Sequence, residues 1–277
     1  MVSSIHTNSA AMSALQTLAG TNSELETAQN RVSSGYKVAG SRDNSAVYAV
    51  AQNMRGDVAA LTSVSASLDR ANSITDVAIA AGEAISDLLI EMREKAVSAK
   101  DPSIDSIARE AYNNDFKALI DQIGKIIRTA EFDGANLLDN SLTNGIAFLA
   151  DAQAVETLSV SSEDFSFSGA ILTFGTTDSL GTVALASAAV TAVNASLNNV
   201  NAALSRLGSS ANQIDAHLNF VSKLTDSLDA GIGFLVDADL SKESARLQAL
   251  QVKQQLGVQA LSIANQNPQT ILSLFQG

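Results

Sequence analysis

Residues 44–99 read NSAVYAVAQNMRGDVAALTSVSASLDRANSITDVAIAAGEAISDLLIEMREKAVSA. From Val47 to Ala99, apolar side chains follow one another in steps of three or four throughout. This spacing is typical of the seam of a coiled coil. At about 1.5 Å per residue, such a helix extends for roughly 80 Å. The sequence Lys100-Asp101-Pro102 ends the pattern, so the segment predicts one very long helix.

Two further segments have helical spacing. Residues 104–130 predict a second helix, which the sequence Phe132-Asp133-Gly134 breaks. A third apolar seam runs from Val193 to Leu235 and predicts another long helix. With only two prolines in the chain, long helices are permitted almost everywhere. The fold class is therefore predicted to be mainly α, as a rod formed by a long antiparallel coiled coil or helical bundle.

The helical spacing of apolar residues gives way to turn and strand signals between residues 140 and 183. The pair Asn144-Gly145 is a strong signal for a tight turn. Residues 158–160 and 165–167 alternate like strands, and residues 171–174 are rich in β-forming side chains. We therefore expect a small β-hairpin region at one end of the rod.

Composition excludes several classes of function. The chain has 17 Lys and Arg against 29 Asp and Glu, and this net charge of -12 argues against nucleic acid or a membrane as a partner. It has no cysteine, which removes disulfides and thiolate metal sites. No stretch approaches about eighteen apolar residues, so no membrane span is expected. Between Thr129 and Ser205 there is no basic residue, which predicts an acidic, solvent-facing surface.

The sequence carries no recognisable motif for catalysis or metal binding. The two histidines, His6 and His217, accompany neither a His-Glu-x-x-His sequence nor a nucleophile elbow, and the chain has no Walker loop. Asp237, Asp239 and Glu243 lack the central glycine and further oxygen ligands of a calcium loop, and Asp239 is better placed to cap a C-terminal helix. We therefore expect no catalytic residue, no metal and no cofactor.

Both ends of the chain lack charged side chains, from Met1 to Ser23 and from Gln254 to Gly277, yet both are patterned for helix. Ordinary termini are poorly ordered unless something holds them. We expect these ends to be buried against other copies of the chain, loose in the monomer and helical in a polymer. The residues predicted to form the subunit interface and core are Ile5, Met12, Leu15, Leu18, Leu25, Val32, Leu256, Leu261, Ile263, Leu272, Leu274 and Phe275.

Three segments carry a family resemblance. Residues 31–46, RVSSGYKVAGSRDNSA, resemble the N-terminal signature of bacterial flagellins. Residues 237–244, DADLSKES, and 264–275, ANQNPQTILSLF, resemble the C-terminal signature. Residues 132–139, FDGANLLD, are similar to the loop that follows the second helix in that family. The signature positions are Ser33, Ser34, Gly35, Arg42, Asp43, Asp237, Asp239, Asn265 and Pro268.

The resemblance implies a structural subunit that self-assembles into the bacterial flagellar filament. It implies an inner coiled-coil domain from residues 1–42 and 237–277, whose terminal helices pair in the filament core, and an outer helical rod domain from residues 43–236. The implied partners are other flagellin copies, an export chaperone, and the cap and hook–filament junction proteins. The implied location is the extracellular flagellum, reached through the flagellar type III pathway without a cleaved signal.

Two alternatives remain open at this point. A hook–filament junction protein shares the terminal helices but forms a short ring. A secreted membrane-interacting helical protein would use its uncharged ends as anchors, although such anchors usually carry Lys or Arg on the polar face. An enzyme is the weakest interpretation.

Overall fold

The computed structural model describes residues 8–274 of the chain, with side chains described for residues 8–266. The described residues form five α-helices and two antiparallel two-stranded sheets, which confirms the prediction of a mainly α fold. In chain order the elements are α1 (Ser9–Ser34), α2 (Ser45–Ala99), α3 (Ser106–Thr129), β1 (Glu131–Phe132), β2 (Ala135–Asn136), β3 (Ile146–Leu149), β4 (Thr157–Val160), α4 (Val183–Val236) and α5 (Leu240–Leu274).

The chain divides into two compact units. The terminal unit combines residues 1–56 with residues 227–277, and the central unit is the continuous segment from residue 57 to residue 226. The terminal unit therefore joins two segments that are far apart in the sequence, while the central unit is one continuous segment.

Helix α2 confirms the long predicted helix and begins one residue later than expected. In the central unit one series of buried positions runs in alternating steps of three and four, and Ile74 and Leu88 are buried beside it: Leu61, Val64, Leu68, Ala71, Thr75, Ala78, Gly82, Ile85, Leu89, Met92, Ala96 and Ala99. The spacing alone had not placed Thr75 and Gly82 in this seam. The Thr75 hydroxyl donates to the Ala71 carbonyl at 2.8 Å, so its burial leaves no unpaired polar group. Gly82 leaves room for Leu204, whose Cδ2 lies 2.8 Å from where a β-carbon would stand.

Helix α4 runs antiparallel to α2 within the central unit. The Asn72 amide donates to the Asp215 carboxylate at 3.0 Å, while Gly82, further along α2, meets the earlier residue Leu204. Helix α4 begins at Val183, ten residues before the predicted seam. It buries every seventh residue, as a coiled-coil helix does: Ala186, Val193, Val200, Leu207, Ile214 and Val221.

Among the described residues, helix α4 has a composition that bears on the expectation of no membrane span. It contains an 18-residue window with a mean hydropathy of 1.2, which by length and composition alone could cross a membrane. The sequence criterion had sought an unbroken apolar run, whereas an average over Ala, Val and Leu tolerates the interspersed Ser and Asn. The heptad spacing of the buried residues shows that α4 packs as a protein-contacting helix.

Helix α3 folds back along α2, as the second predicted helix. The Lys95 ammonium lies 3.3 Å from the Asp115 carboxylate, and the Arg109 guanidinium donates to the Ala99 carbonyl at 3.1 Å. Asp105 caps the start of α3 by accepting the backbone N–H of Ala108 at 2.7 Å. Helices α2 and α3 thus form an antiparallel pair joined by a short loop that ends at the Asp105 cap.

The β region is smaller than predicted. Strands β3 and β4 pair from Ile146 opposite Val160 to Leu149 opposite Thr157, which confirms the strand predicted at residues 158–160. The turn at Asn144-Gly145 is confirmed by the bond from the Gly145 N–H to the Leu142 carbonyl at 2.8 Å. It precedes β3 and does not join the two strands.

The strands predicted at residues 165–167 and 171–174 were wrong, because these segments form only one isolated bridge, between Phe167 and Leu172. Their backbone groups bond elsewhere in the central unit. The Phe165 N–H donates to the Leu138 carbonyl at 3.0 Å, and the Thr173 N–H donates to the Ser196 hydroxyl at 2.9 Å. Their apolar side chains fill the core instead of one face of a sheet.

The segment without basic residues is not simply an acidic surface. Phe165, Phe174 and other apolar residues of this segment are buried, and so is Glu163. Arg206 of α4 binds Glu163 through two hydrogen bonds, of 2.7 Å from Nε and 2.5 Å from Nη2. These bonds raise the pKa of the Arg206 guanidinium above its ordinary value, against the opposing effect of burial. The expectation of a purely solvent-facing segment is therefore corrected.

Candidate assembly surface

Helix α1 is capped at both ends. Asn8 caps its start, with the side-chain oxygen accepting the Ala11 N–H at 3.0 Å. Gly35 ends it in the left-handed conformation, with φ of 76° and its N–H bonded to the Arg31 carbonyl at 2.9 Å. Glycine adopts this conformation without the steric cost of a β-carbon. The signature residue Gly35 is therefore the point at which the chain leaves α1.

Helix α5 begins next to the end of α1. The Asp239 carboxylate accepts the Lys242 N–H at 3.1 Å, which confirms the predicted cap. The Ala238 N–H donates to the Gly35 carbonyl at 2.8 Å, and the Lys37 N–H donates to the Val236 carbonyl at 2.7 Å. These backbone bonds hold the end of α1 beside the start of α5.

The remaining signature residues shape the same junction. Asp237 lies in an isolated antiparallel bridge with Tyr36, and the Ser34 hydroxyl accepts the Tyr36 N–H at 3.2 Å. The Asp43 carboxylate accepts the N–H groups of residues 39 and 40, at 2.9 and 3.1 Å, and so forms a turn ahead of α2. Ser33, Arg42 and Asn265 are exposed.

Helices α1 and α5 pack antiparallel along a regular seam. Asn8 donates to the Ala264 carbonyl at 2.8 Å, Gln254 donates to Asn22 at 2.8 Å, and Arg31 lies 3.2 Å from Glu243. The seam positions are all buried or half-buried and again alternate in steps of three and four, with Arg31 and Ser244 half-buried beside them: Ala11, Ala14, Leu18, Thr21, Leu25, Ala28 and Val32 on α1, and Glu243, Leu247, Leu250, Gln254, Gly257, Leu261 and Ala264 on α5. About half of these side chains are small or polar, so the seam is narrow.

The large apolar side chains of the two helices divide between the seam and the outer faces. Leu18, Leu25, Val32 and Leu261, from the predicted set, are half-buried in the seam. The rest of the described predicted set is exposed, by the following fractions: Met12 67%, Leu15 54%, Leu256 58% and Ile263 63%. Spacing of three or seven had grouped these residues together, whereas the structure separates them onto different faces.

Several predicted residues lie outside this description. Ile5 and Phe275 precede and follow the described residues, and the side chains of Leu272, Leu274 and Pro268 lie beyond residue 266. Position 268 falls within α5.

Small side chains line a shallow groove along one flank of the helix pair. The lining residues are Ala10, Ser13, Ala14, Thr17, Gly257, Ala260 and Ala264.

Several titratable groups in the described residues serve structural contacts. No group of three or more His, Asp or Glu side chains there is arranged to hold a metal ion. His217 is half-buried, and its Nε2 lies 2.7 Å from the Ala150 carbonyl. Because a carbonyl only accepts, this nitrogen carries the proton and ties the end of β3 to α4.

Together, the fold and this surface define a mainly α subunit that pairs its terminal helices and leaves large apolar side chains on their outer faces. Comparison with known proteins agrees with that class. Residues 5–143 match the family described as the bacterial flagellin N-terminal helical region, and residues 190–275 match the bacterial flagellin C-terminal helical region.

Individual relatives extend over the full chain. Flagellin FljK of Caulobacter vibrioides is 47% identical over 275 residues, covering 99% of both chains. A flagellin of Brucella melitensis is 37% identical over 284 aligned residues, covering 100% of both chains. A flagellar hook-associated protein of Vibrio parahaemolyticus has a similar fold, with a TM-score of 0.56 at 14% identity over 70% of this chain and 99% of that one. The chain belongs to the bacterial flagellins. It is a structural subunit that self-assembles into the extracellular flagellar filament.

Proposed function

We propose that the terminal helices form the core of the filament and that their exposed apolar residues contact neighbouring subunits. In this arrangement the inner domain comprises residues 1–42 and 237–277, and the outer domain comprises residues 43–236. The observation that carries the proposal is the division of side chains described above. The seam between α1 and α5 is narrow, and Met12, Leu15, Leu256 and Ile263 remain more than half exposed.

The energy available from these four side chains is substantial. Complete burial of a large apolar side chain contributes about 1.5–3 kcal/mol. Because each is more than half exposed in the single subunit, covering it contributes on the order of 1 kcal/mol or somewhat more. Four such contacts per subunit contribute roughly 5 kcal/mol, a factor of several thousand in an association constant. Seam residues offer less, since the partner helix already covers them.

The exposed apolar side chains of the terminal helices also favour binding to transient partners before and during assembly. A subunit that presents uncovered apolar helices before assembly is at risk of aggregation, so we include an export chaperone among its partners. We also include the cap and hook–filament junction proteins, which must contact the two ends of a growing filament. We infer export through the flagellar type III pathway without a cleaved signal, supported by family membership and by the absence of cysteine.

Electron microscopy of the purified protein tests the proposal. Full-length protein is compared with a variant lacking residues 1–32 and 256–277, both seeded with filament fragments. We expect long hollow filaments from the full-length protein alone. Short rings from the full-length protein would favour a hook–filament junction role, and binding to liposomes without filaments would favour a membrane-interacting role.

Export is tested separately in cells. We expect the full-length protein to accumulate in the medium of a strain that lacks the filament cap, and to remain inside a strain that lacks the flagellar export apparatus. Equal amounts in the medium of both strains would exclude the type III route.

A further inference from the structure

Among the described side chains of α1 and α5, one ion pair interrupts an otherwise uncharged seam. The Arg31 guanidinium lies 3.2 Å from one carboxylate oxygen of Glu243. The side chain of Glu243 is only 12% exposed and that of Arg31 is 28% exposed. The second carboxylate oxygen of Glu243 is buried and has no hydrogen-bond donor among the described residues. Glu243 occupies a seam position, one heptad before Leu250.

This arrangement is costly for stability alone. A buried carboxylate loses its hydration, and a well-packed apolar residue of similar size often stabilises the same position at least as well. An unpaired buried oxygen adds to that cost. Its neighbours in the α5 seam are uncharged up to Ala264. A leucine at position 243 would therefore continue a better apolar seam, which indicates that the charge serves another purpose.

The position of the pair in the helices is favourable. Arg31 lies in the last turn of α1, and Glu243 lies in the first turn of α5. A cation near a helix C-terminus and an anion near a helix N-terminus both complement the helix dipole. The two charges thus stabilise the antiparallel pair of α1 with α5 by two interactions. They attract each other, and each also interacts favourably with the dipole of its own helix.

We propose that the Arg31–Glu243 pair selects α5 as the partner of α1 and disfavours pairing of identical terminal helices from different copies. This rests on the proposed role of the terminal helices in assembly. In a parallel pair of two α5 helices, Glu243 meets another Glu243. In an antiparallel pair it meets an uncharged seam position between residues 247 and 264. Either arrangement buries a carboxylate without a cation, which is a repulsive element against the wrong partner.

The absence of cysteine permits a direct test by disulfide trapping in the full-length chain. Thr21→Cys with Gln254→Cys reports the correct pair, since both are seam positions and Gln254 bonds to the neighbouring Asn22. Gln254→Cys alone reports α5–α5 pairing between copies. Each reporter is placed in the native background, in Glu243→Leu, in Arg31→Leu with Glu243→Leu, and in the conservative Glu243→Asp. Oxidation is carried out during seeded polymerisation and analysed on non-reducing gels.

In the native background and in Glu243→Asp we expect the correct intrachain bond and few α5–α5 dimers. In both backgrounds with Leu at position 243, we expect α5–α5 dimers to rise by about tenfold, because burial of the charge no longer penalises that pair. Circular dichroism confirms that the double Leu variant retains its helix content. An unchanged dimer fraction in that folded variant would overturn the proposal. If the native chain failed to polymerise at all, the proposed assembly function would fail instead, and the two failures are therefore distinguishable.

Discussion

Replacement of Leu15 by alanine separates filament contacts from subunit stability. The substitution removes three carbon atoms, and each contributes about 0.8 kcal/mol when fully buried. Because 54% of Leu15 is exposed in the subunit, about 1.3 kcal/mol of that contribution belongs to contacts formed on assembly. The concentration of subunits in equilibrium with filaments is therefore expected to rise about tenfold.

The assay measures that concentration directly. Purified Leu15→Ala protein is added to native filament seeds, the filaments are sedimented, and the protein remaining in solution is quantified. Circular dichroism of the unpolymerised protein measures its helix content and thermal unfolding. We expect the thermal midpoint of the free chain to change little, since Leu15 lies outside the seam.

Two matched variants sharpen the result. Leu18→Ala removes a half-buried seam residue one turn away and is expected to weaken the α1–α5 pair itself. Val155→Ala removes a side chain that is 76% exposed in the β3–β4 loop of the central unit and is expected to leave polymerisation unchanged. The reasoning is refuted if Leu15→Ala leaves the soluble concentration within twofold of the native value, or if Val155→Ala raises it as much.

Three further substitutions test the packing of the subunit. Arg206→Leu leaves the buried Glu163 carboxylate without its cation. Because Arg206 is itself 59% exposed, we expect the free energy of unfolding to fall by about 2 kcal/mol, or about 6 °C in the thermal midpoint. A second change, Glu163→Leu, should restore most of that loss. Gly145 has a φ of 70°, and Gly145→Ala places a β-carbon against a backbone carbonyl of β4. Amide hydrogen exchange in β3 and β4 should therefore accelerate. The control Gly134→Ala has a similar φ of 76° but open space around the β-carbon, so its effect on this exchange should be far smaller. Gly208→Ala, in an open position of α4, should stabilise the central unit by about 0.5–1 kcal/mol in thermal unfolding; a loss of stability would show that this helix position is more crowded than its surroundings indicate.

The helices were largely predictable because their apolar period is long and regular. Helix α2 follows one heptad pattern for most of its length, and a pattern repeated so many times leaves few alternatives. The exceptions were buried positions that carry no large apolar side chain. Thr75 is buried because its hydroxyl bonds within its own helix, and Gly82 because the facing Leu204 supplies the missing volume.

The β region and the terminal surface were harder to predict for two physical reasons. Short apolar alternation at residues 165–167 and 171–174 is compatible with a strand, and only tertiary contacts such as that of Thr173 with Ser196 decide otherwise. On the terminal helices, positions three and four apart indicate an apolar face but not which part of it meets α5. That choice depends on small residues such as Gly257, whose missing β-carbon lets Leu18 approach to 3.1 Å of its place.

The bond between Asn8 and Ala264 joins residues that are 256 positions apart. At about 5–20 residues per second, the ribosome makes the second partner roughly 10 to 50 s after the first. The central unit is continuous in sequence and has all its parts well before then. A chain released early from the ribosome therefore carries an α1 without its partner and an incomplete terminal unit. Formation of the terminal unit therefore depends on translation having reached the residues of α5 up to Ala264.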